Sequence, residues 1–105
     1  MEQALKTTID NEIKKNKIML YMKGTPNAPM CGFSAQAVNI LTKHNVPFGT
    51  CNILQDEAMR QAMKEYSDWP TFPQLYINGE FIGGCDIMIE LDTNGELAKL
   101  IAAAK

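Results

Sequence analysis

The sequence predicts an α/β fold: a central mixed four-stranded β-sheet flanked by helices on both faces. Three observations carry this. The run IMLYM at 18–22 is apolar at every position, as expected of a strand covered on both faces. A second strand-like run at 48–53 follows it across a segment of helical period, which demands a parallel, right-handed crossover unit. Two later apolar runs, LYINGEFI, turn on Asn78-Gly79 and must add antiparallel strands to the same sheet.

Each element follows from its residues. Leu5, Ile9 and Ile13 recur at helical spacing among polar neighbours, which predicts an amphipathic helix over 3–16 ahead of the 18–22 strand. KGTPNAP breaks the pattern with Gly24, Pro26 and Pro29 and reads as a loop. From Gly32 onward Ala37, Val38, Leu41 and His44 restore the helical period until Pro47 closes it. After the short strand FGTCNI, Asp56 is the N-cap of a third helix whose apolar face carries Met59, Ala62, Met63 and Tyr66. The hairpin ends at Gly83-Gly84, and the tail forms one or two helices interrupted near Asn94-Gly95, with Leu97, Leu100 and Ile101 turned inward. The order is α-β-α-β-α-β-β-α.

A chain of 105 residues makes one domain, 1–105, with a real core. An apolar fraction of 46% and a charged fraction of 21% are those of a globular protein and exclude disorder. The longest apolar run is far shorter than a membrane span, and the polar N-terminus lacks the apolar stretch of a signal peptide, so a cytoplasmic location with no membrane association is expected. A net charge of −2 without a basic stripe argues against nucleic acid as a partner. Three cysteines, an odd number without local pairs, do not form a secreted disulfide framework and leave at least one free thiol.

Cys31 carries the chemistry. It follows strand and loop and stands where the second helix begins, so unpaired backbone N–H groups and the helix dipole favour an anion there. A thiolate is such an anion, and cysteines so placed are better nucleophiles and metal ligands at neutral pH than free thiols. Lys23 adds positive charge nearby, and Gly32 lets another molecule approach the backbone. Three residues on, where a resolving cysteine would make a redox pair, stands Ser34. Cys51, in a strand with no helix end or base beside it, reads as packing. Cys85 follows Gly83-Gly84 at another helix start, opened by Asp86, whose N–H groups also suit an anion. Cys31, His44, Cys51 and Cys85 lack the short ligand spacings of a structural zinc site, and His44 reads as a helix-end or packing residue.

With KGTPNAPMCGFS at 23–34 and WPTFPQLYINGEFIGGCDI at 69–87, the chain resembles the monothiol glutaredoxins of the thioredoxin-fold superfamily, in their short single-domain form. The resemblance runs from the first helix to the last, and CGFS after KG-x-P, WPT-x-PQ and GG-x-D stand at that family's spacings. It implies a thioredoxin-like fold and a glutathione site. Lys23 and Arg60 would bind the glycine carboxylate, and Phe72, before a cis-Pro73, would pair its backbone with the cysteinyl unit as an added strand. The N–H groups of Cys85 and Asp86 would hold the γ-glutamyl carboxylate, and the Asp86 side chain its ammonium group. Without the motifs, Lys23 and Arg60 would pass for solvated surface charges.

Two activities are open to one thiol. As a metal ligand, Cys31 supplies one of the four thiolates of a [2Fe–2S] cluster, and the resemblance implies that a second subunit's Cys31 and two glutathiones supply the rest. Such a homodimer would carry clusters to apo iron-sulfur acceptor proteins, often with a BolA-like partner. As a catalytic nucleophile, Cys31 would instead reduce protein–glutathione mixed disulfides, with a second glutathione as resolving thiol. A structural adaptor is the third possibility, and it would keep its partner in a Cys31→Ser variant. If Cys85 lies near Cys31, their disulfide would compete with the cluster.

Overall fold

The computed structural model describes residues 1–104. The helix α1 spans Gln3–Lys15 and buries Ile9 and Ile13. It stops one residue short of the expected end because Asn16 takes an extended backbone and turns both its N–H and its side-chain amide to the Glu12 carbonyl, at 3.1 and 3.0 Å. Strand β1, Ile18–Met22, is buried at all five positions. Two short strands follow, β2 (Gly24–Thr25) and β3 (Ala28–Pro29), and they pair antiparallel where the sequence predicts only a loop. Then come α2 (Gly32–Lys43), β4 (Gly49–Asn52), α3 (Glu57–Ser67), β5 (Gln74–Ile77), β6 (Glu80–Gly83), α4 (Cys85–Thr93) and α5 (Glu96–Ala103).

The four longer strands form one sheet in the order β4-β1-β5-β6. Strand β1 runs parallel to β4 and antiparallel to β5, so the crossover and the hairpin meet on one central strand, as expected. Alternation along β1 and β5 divides the core. Ile18, Leu20, Met22, Leu75 and Ile77 face α2, α4 and α5, whereas Met19, Tyr21 and Tyr76 face α1 and α3. This is why IMLYM has no polar position. In the hairpin, Asn78 and Gly79 both take positive φ, 54° and 82°, the pair of angles that a two-residue primed turn requires. Gly95, at φ 85°, separates α4 from α5, which buries Leu97 fully and packs Leu100 and Ile101 against the same core. Among the described residues, no helix is long and apolar enough to cross a membrane.

The β2–β3 turn hangs on one glycine. Gly24 sits at φ 92°, and a Cβ there would come within 2.5 Å of the Ala28 carbonyl oxygen and 2.7 Å of the Met30 nitrogen. Its N–H donates to Asn52 Oδ1 at 2.9 Å, which ties the turn to β4. Gly24→Ala should therefore cost about 2–3 kcal/mol of stability through strain and displaced backbone. A urea midpoint equal to wild type would show that the turn yields without cost.

At the far end of α2, Asp92 on α4 accepts from Lys43 and lies 2.7 Å, Oδ1 to Nε2, from His44. Lys43 first and His44 second hold its carboxyl below the usual carboxylate range, against a smaller opposing effect of burial. A depressed folded pKa gives stability that is present above the unfolded carboxyl's value and lost as pH falls through the folded one. Asp92→Asn should thus cost about 1 kcal/mol near pH 6, with the difference from wild type closing below about pH 4. Urea midpoints measured at about pH 6 and again well below about pH 4 read both parts.

Candidate functional site

The site lies where β1 ends and α2 and α4 begin. Cys31 is the N-cap of α2, with extended backbone angles of φ −154° and ψ 155°. Its Sγ accepts the Ser34 N–H at 3.3 Å and lies 3.4 Å from Ser34 Oγ. The same Oγ accepts the Lys23 N–H at 3.1 Å, and its own O–H remains to donate to sulfur. Ser34 is fully buried, so one hydroxyl joins the end of β1 to the start of α2 and to the thiol.

Burial acts on the Cys31 thiol by raising its pKa, but the Ser34 hydroxyl, the N–H groups of Ser34 and Phe33 and the Lys23 charge together outweigh it and lower the thiol below its ordinary value. The other two cysteines move the opposite way. Cys51 on β4 is half-buried against the α1 and α3 side of the core, and burial, with Glu12 and Asp56, pushes it up to about 11. It is packing, as expected. Cys85 is the first residue of α4, one earlier than the sequence suggests, and is buried with its S–H 3.5 Å from Gln36 Oε1. Burial raises its thiol, and the charges of Asp86 and Cys31 add to the effect. Of the three thiols, only that of Cys31 is shifted toward its thiolate.

Beside this thiol lies a cavity of about 290 Å³. One wall is the loop that leads into β5, with Trp69, Thr71, Phe72 and a Pro73 joined to Phe72 by a cis peptide bond. The other is the start of α4, with Gly84, Cys85, Asp86 and Ile87. Lys23 and Phe33 complete it from the Cys31 side. Gly84 lets the two walls approach: a Cβ there would stand 3.3 Å from the Pro73 carbonyl oxygen and 3.4 Å from Trp69 Nε1. The first N–H groups of α4 have no carbonyl within the helix, and Met88 is the first to find one, on Gly84. The cavity thus offers a cation at Lys23, a helix N-terminus with a carboxylate at Asp86, and, among the described residues, a Phe72 N–H without a backbone partner.

Lys23, Phe72, Cys85 and Asp86, named from the sequence, come together in this cavity. Arg60 does not line it: on α3 its guanidinium Nη1 lies 3.7 Å from Glu57, while its buried Nε has no partner. Ser34, Trp69 and Thr71 are the contributors that residue-by-residue reasoning missed. The proline-flanked WPTFP stretch was the available signal for the last two. Among the described residues, no group of three or more His, Cys, Asp or Glu side chains could hold a metal ion.

A four-stranded mixed sheet with α2 capped by a nucleophilic cysteine and a cis-proline loop facing it defines a thioredoxin-like fold. The glutaredoxin family model matches residues 18–82. A protein of Rickettsia typhi named "Probable monothiol glutaredoxin 2" is 55% identical over 101 residues, which cover 96% of this chain and 91% of that one. The solution structure of reduced poplar apo GrxS14 superposes with a TM-score of 0.84 at 54% identity, over 93% of this chain and 90% of that one. The crystal structure of a buckwheat glutaredoxin–glutathione complex shares the fold, with a TM-score of 0.84 over 97% of this chain and 94% of that one, at 21% identity. The chain belongs to the glutaredoxin family, on its monothiol branch.

Proposed function

We propose that this glutaredoxin binds glutathione in the cavity beside Cys31 and carries a [2Fe–2S] cluster between two copies of itself. Each copy supplies the Cys31 thiolate, and two glutathione thiols complete the set of four. The observation that carries this is a thiol at the start of α2 whose sulfur accepts the Ser34 N–H, with Ser34, not a second thiol, beside it. Lys23 and the start of α4 suit the two carboxylates of glutathione, and the free Phe72 N–H suits its extended backbone. The buckwheat complex supports glutathione as the ligand class on a shared fold. Arg60, with an unpartnered Nε, would turn from Glu57 to the glycine carboxylate. Met30 and Phe33, 67% and 61% exposed on either side of Cys31, give a second protein an apolar surface to meet.

The cluster is cargo, delivered to apo iron-sulfur proteins with a BolA-like protein as a further partner. A cytoplasmic location goes with this role. Anaerobic incubation with iron, sulfide and glutathione, followed by absorption spectroscopy, sizing and glutathione assay, tests the proposal. A coloured dimer with two glutathiones supports it, and a colourless monomer under the same conditions refutes it.

The stabilised thiolate also favours a second activity. Cys31 sulfur would attack the glutathionyl sulfur of a protein mixed disulfide, form its own glutathionyl disulfide and release the protein thiolate. A second glutathione thiolate would then attack that disulfide, yield oxidised glutathione and restore the Cys31 thiolate. A colourless monomer that turned over such substrates would make this the principal function.

A further inference from the structure

We propose that Gln74 is a positioning residue of the cavity: its side-chain amide holds the Trp69–Phe72 wall in the shape that receives a ligand. The ligand half of this proposal rests on the cavity being the glutathione site.

Gln74 opens β5 directly after cis-Pro73 and is fully buried. Its Nε2 donates to the Trp69 carbonyl at 3.1 Å and to the Thr71 carbonyl at 3.2 Å, so both amide protons close on the same loop. Phe72 is packed into the core and Trp69 against the Phe81 ring, but few other hydrogen bonds fix the backbone of that stretch. The Trp69 N–H reaches back to the Lys64 carbonyl at 3.2 Å, the two prolines have no N–H, and among the described residues no backbone–backbone hydrogen bond involves Thr71 or Phe72. The Ser67 hydroxyl adds only a long contact of 3.5 Å to the Trp69 carbonyl.

The other end of the same side chain shows that packing is not the reason for a glutamine here. Gln74 Oε1 is buried with no hydrogen-bond partner, a destabilising arrangement that a methionine or leucine of similar volume would avoid. What distinguishes the amide from those residues is what its nitrogen holds. Trp69, Thr71, Phe72 and Pro73 all line the cavity, whereas Gln74 does not, so its effect on a ligand must pass through the loop. An untethered loop would have to be ordered by each ligand as it bound, and affinity would fall by that amount.

Gln74→Met keeps the length of the side chain and removes both donors. Trp69 is the single tryptophan, so its fluorescence reads the wall directly. In the variant, acrylamide should quench Trp69 more strongly and glutathione should bind about tenfold more weakly. The pH profile of Cys31 alkylation, set by Ser34 and the start of α2, should stay as in wild type. Unchanged quenching or unchanged affinity would overturn the proposal.

A measurement on the wild type removes dependence on the variant's folding. Proton NMR should show the Gln74 side-chain amide protons exchanging slowly with solvent, and exchange as fast as in an exposed glutamine would overturn the proposal. A wild type that failed to bind glutathione would count against the proposed ligand, while quenching and exchange still decided whether Gln74 holds the wall.

Discussion

Cys31→Ser is expected to fold with nearly wild-type stability and to lose every reaction that runs through the site. The first half follows from the place of Cys31 at the N-cap of α2, where its sulfur accepts the Ser34 N–H. Serine is among the best N-cap residues, and its oxygen takes over that acceptor role, so the change in stability should stay within about 1 kcal/mol. The second half follows from chemistry. A serine hydroxyl is not ionised at neutral pH and neither attacks a disulfide nor ligates iron as a thiolate does. Turnover of glutathione mixed disulfides should fall at least about 10³-fold, and reconstitution should give no colour. Thermal unfolding with both assays checks the pair. A folded variant that still carried a cluster would remove Cys31 from the ligand set.

Ser34→Ala should strike both stability and reactivity, because one hydroxyl serves two partners. The Lys23 N–H would lose its acceptor, which costs about 1–3 kcal/mol for a partly buried donor. Cys31 would lose its side-chain donor, and its thiol should move back up, so alkylation at neutral pH should slow several-fold. The sign of the linkage adds a separate test. A thiol whose folded pKa is depressed gives stability that is absent at acid pH, appears as pH rises through the folded pKa and is complete above the ordinary value of 9.0. The stability gap between wild type and Ser34→Ala should therefore widen from acid to alkaline pH. Urea midpoints and an iodoacetamide profile measure the two effects, and an unchanged profile would reduce Ser34 to a link between β1 and α2.

Much of this could be read from residue order because the signals are local. Asn78-Gly79 fixed the hairpin through angles that these two residues adopt readily, and the unbroken apolar run of β1 announced a strand covered on both faces. Cys31 was found because strand, loop and helix start are neighbours in the chain. The contacts that escaped are those between distant residues. The β2–β3 pair depends on Asn52 reaching Gly24 across 28 positions, and His44 meets Asp92 across 48. Ser34 registered only as a missing cysteine, since its value lies in the Lys23 N–H that folding returns to it. Gln74 is visible only as the last letter of the WPT-x-PQ motif, and nothing in the residue order shows that its amide holds the loop before it. Arg60 came from resemblance alone, and its contact with Glu57 is a local matter of adjacent helical turns.

Because the sulfur of Cys31 is also the cap of α2, its oxidation state and the stability of the protein are linked. In a mixed disulfide that sulfur carries no negative charge, and the Ser34 and Phe33 N–H groups and Lys23 have less to hold. The thermodynamic cycle closes only if whatever stabilises the thiolate in the folded chain also drives release of the group bound to it. In the folded chain those contacts favour the free thiolate over the mixed disulfide, opposite in sign to any hold the neighbouring cavity has on a bound glutathionyl group. The first turn of α2 is best satisfied when the sulfur is reduced.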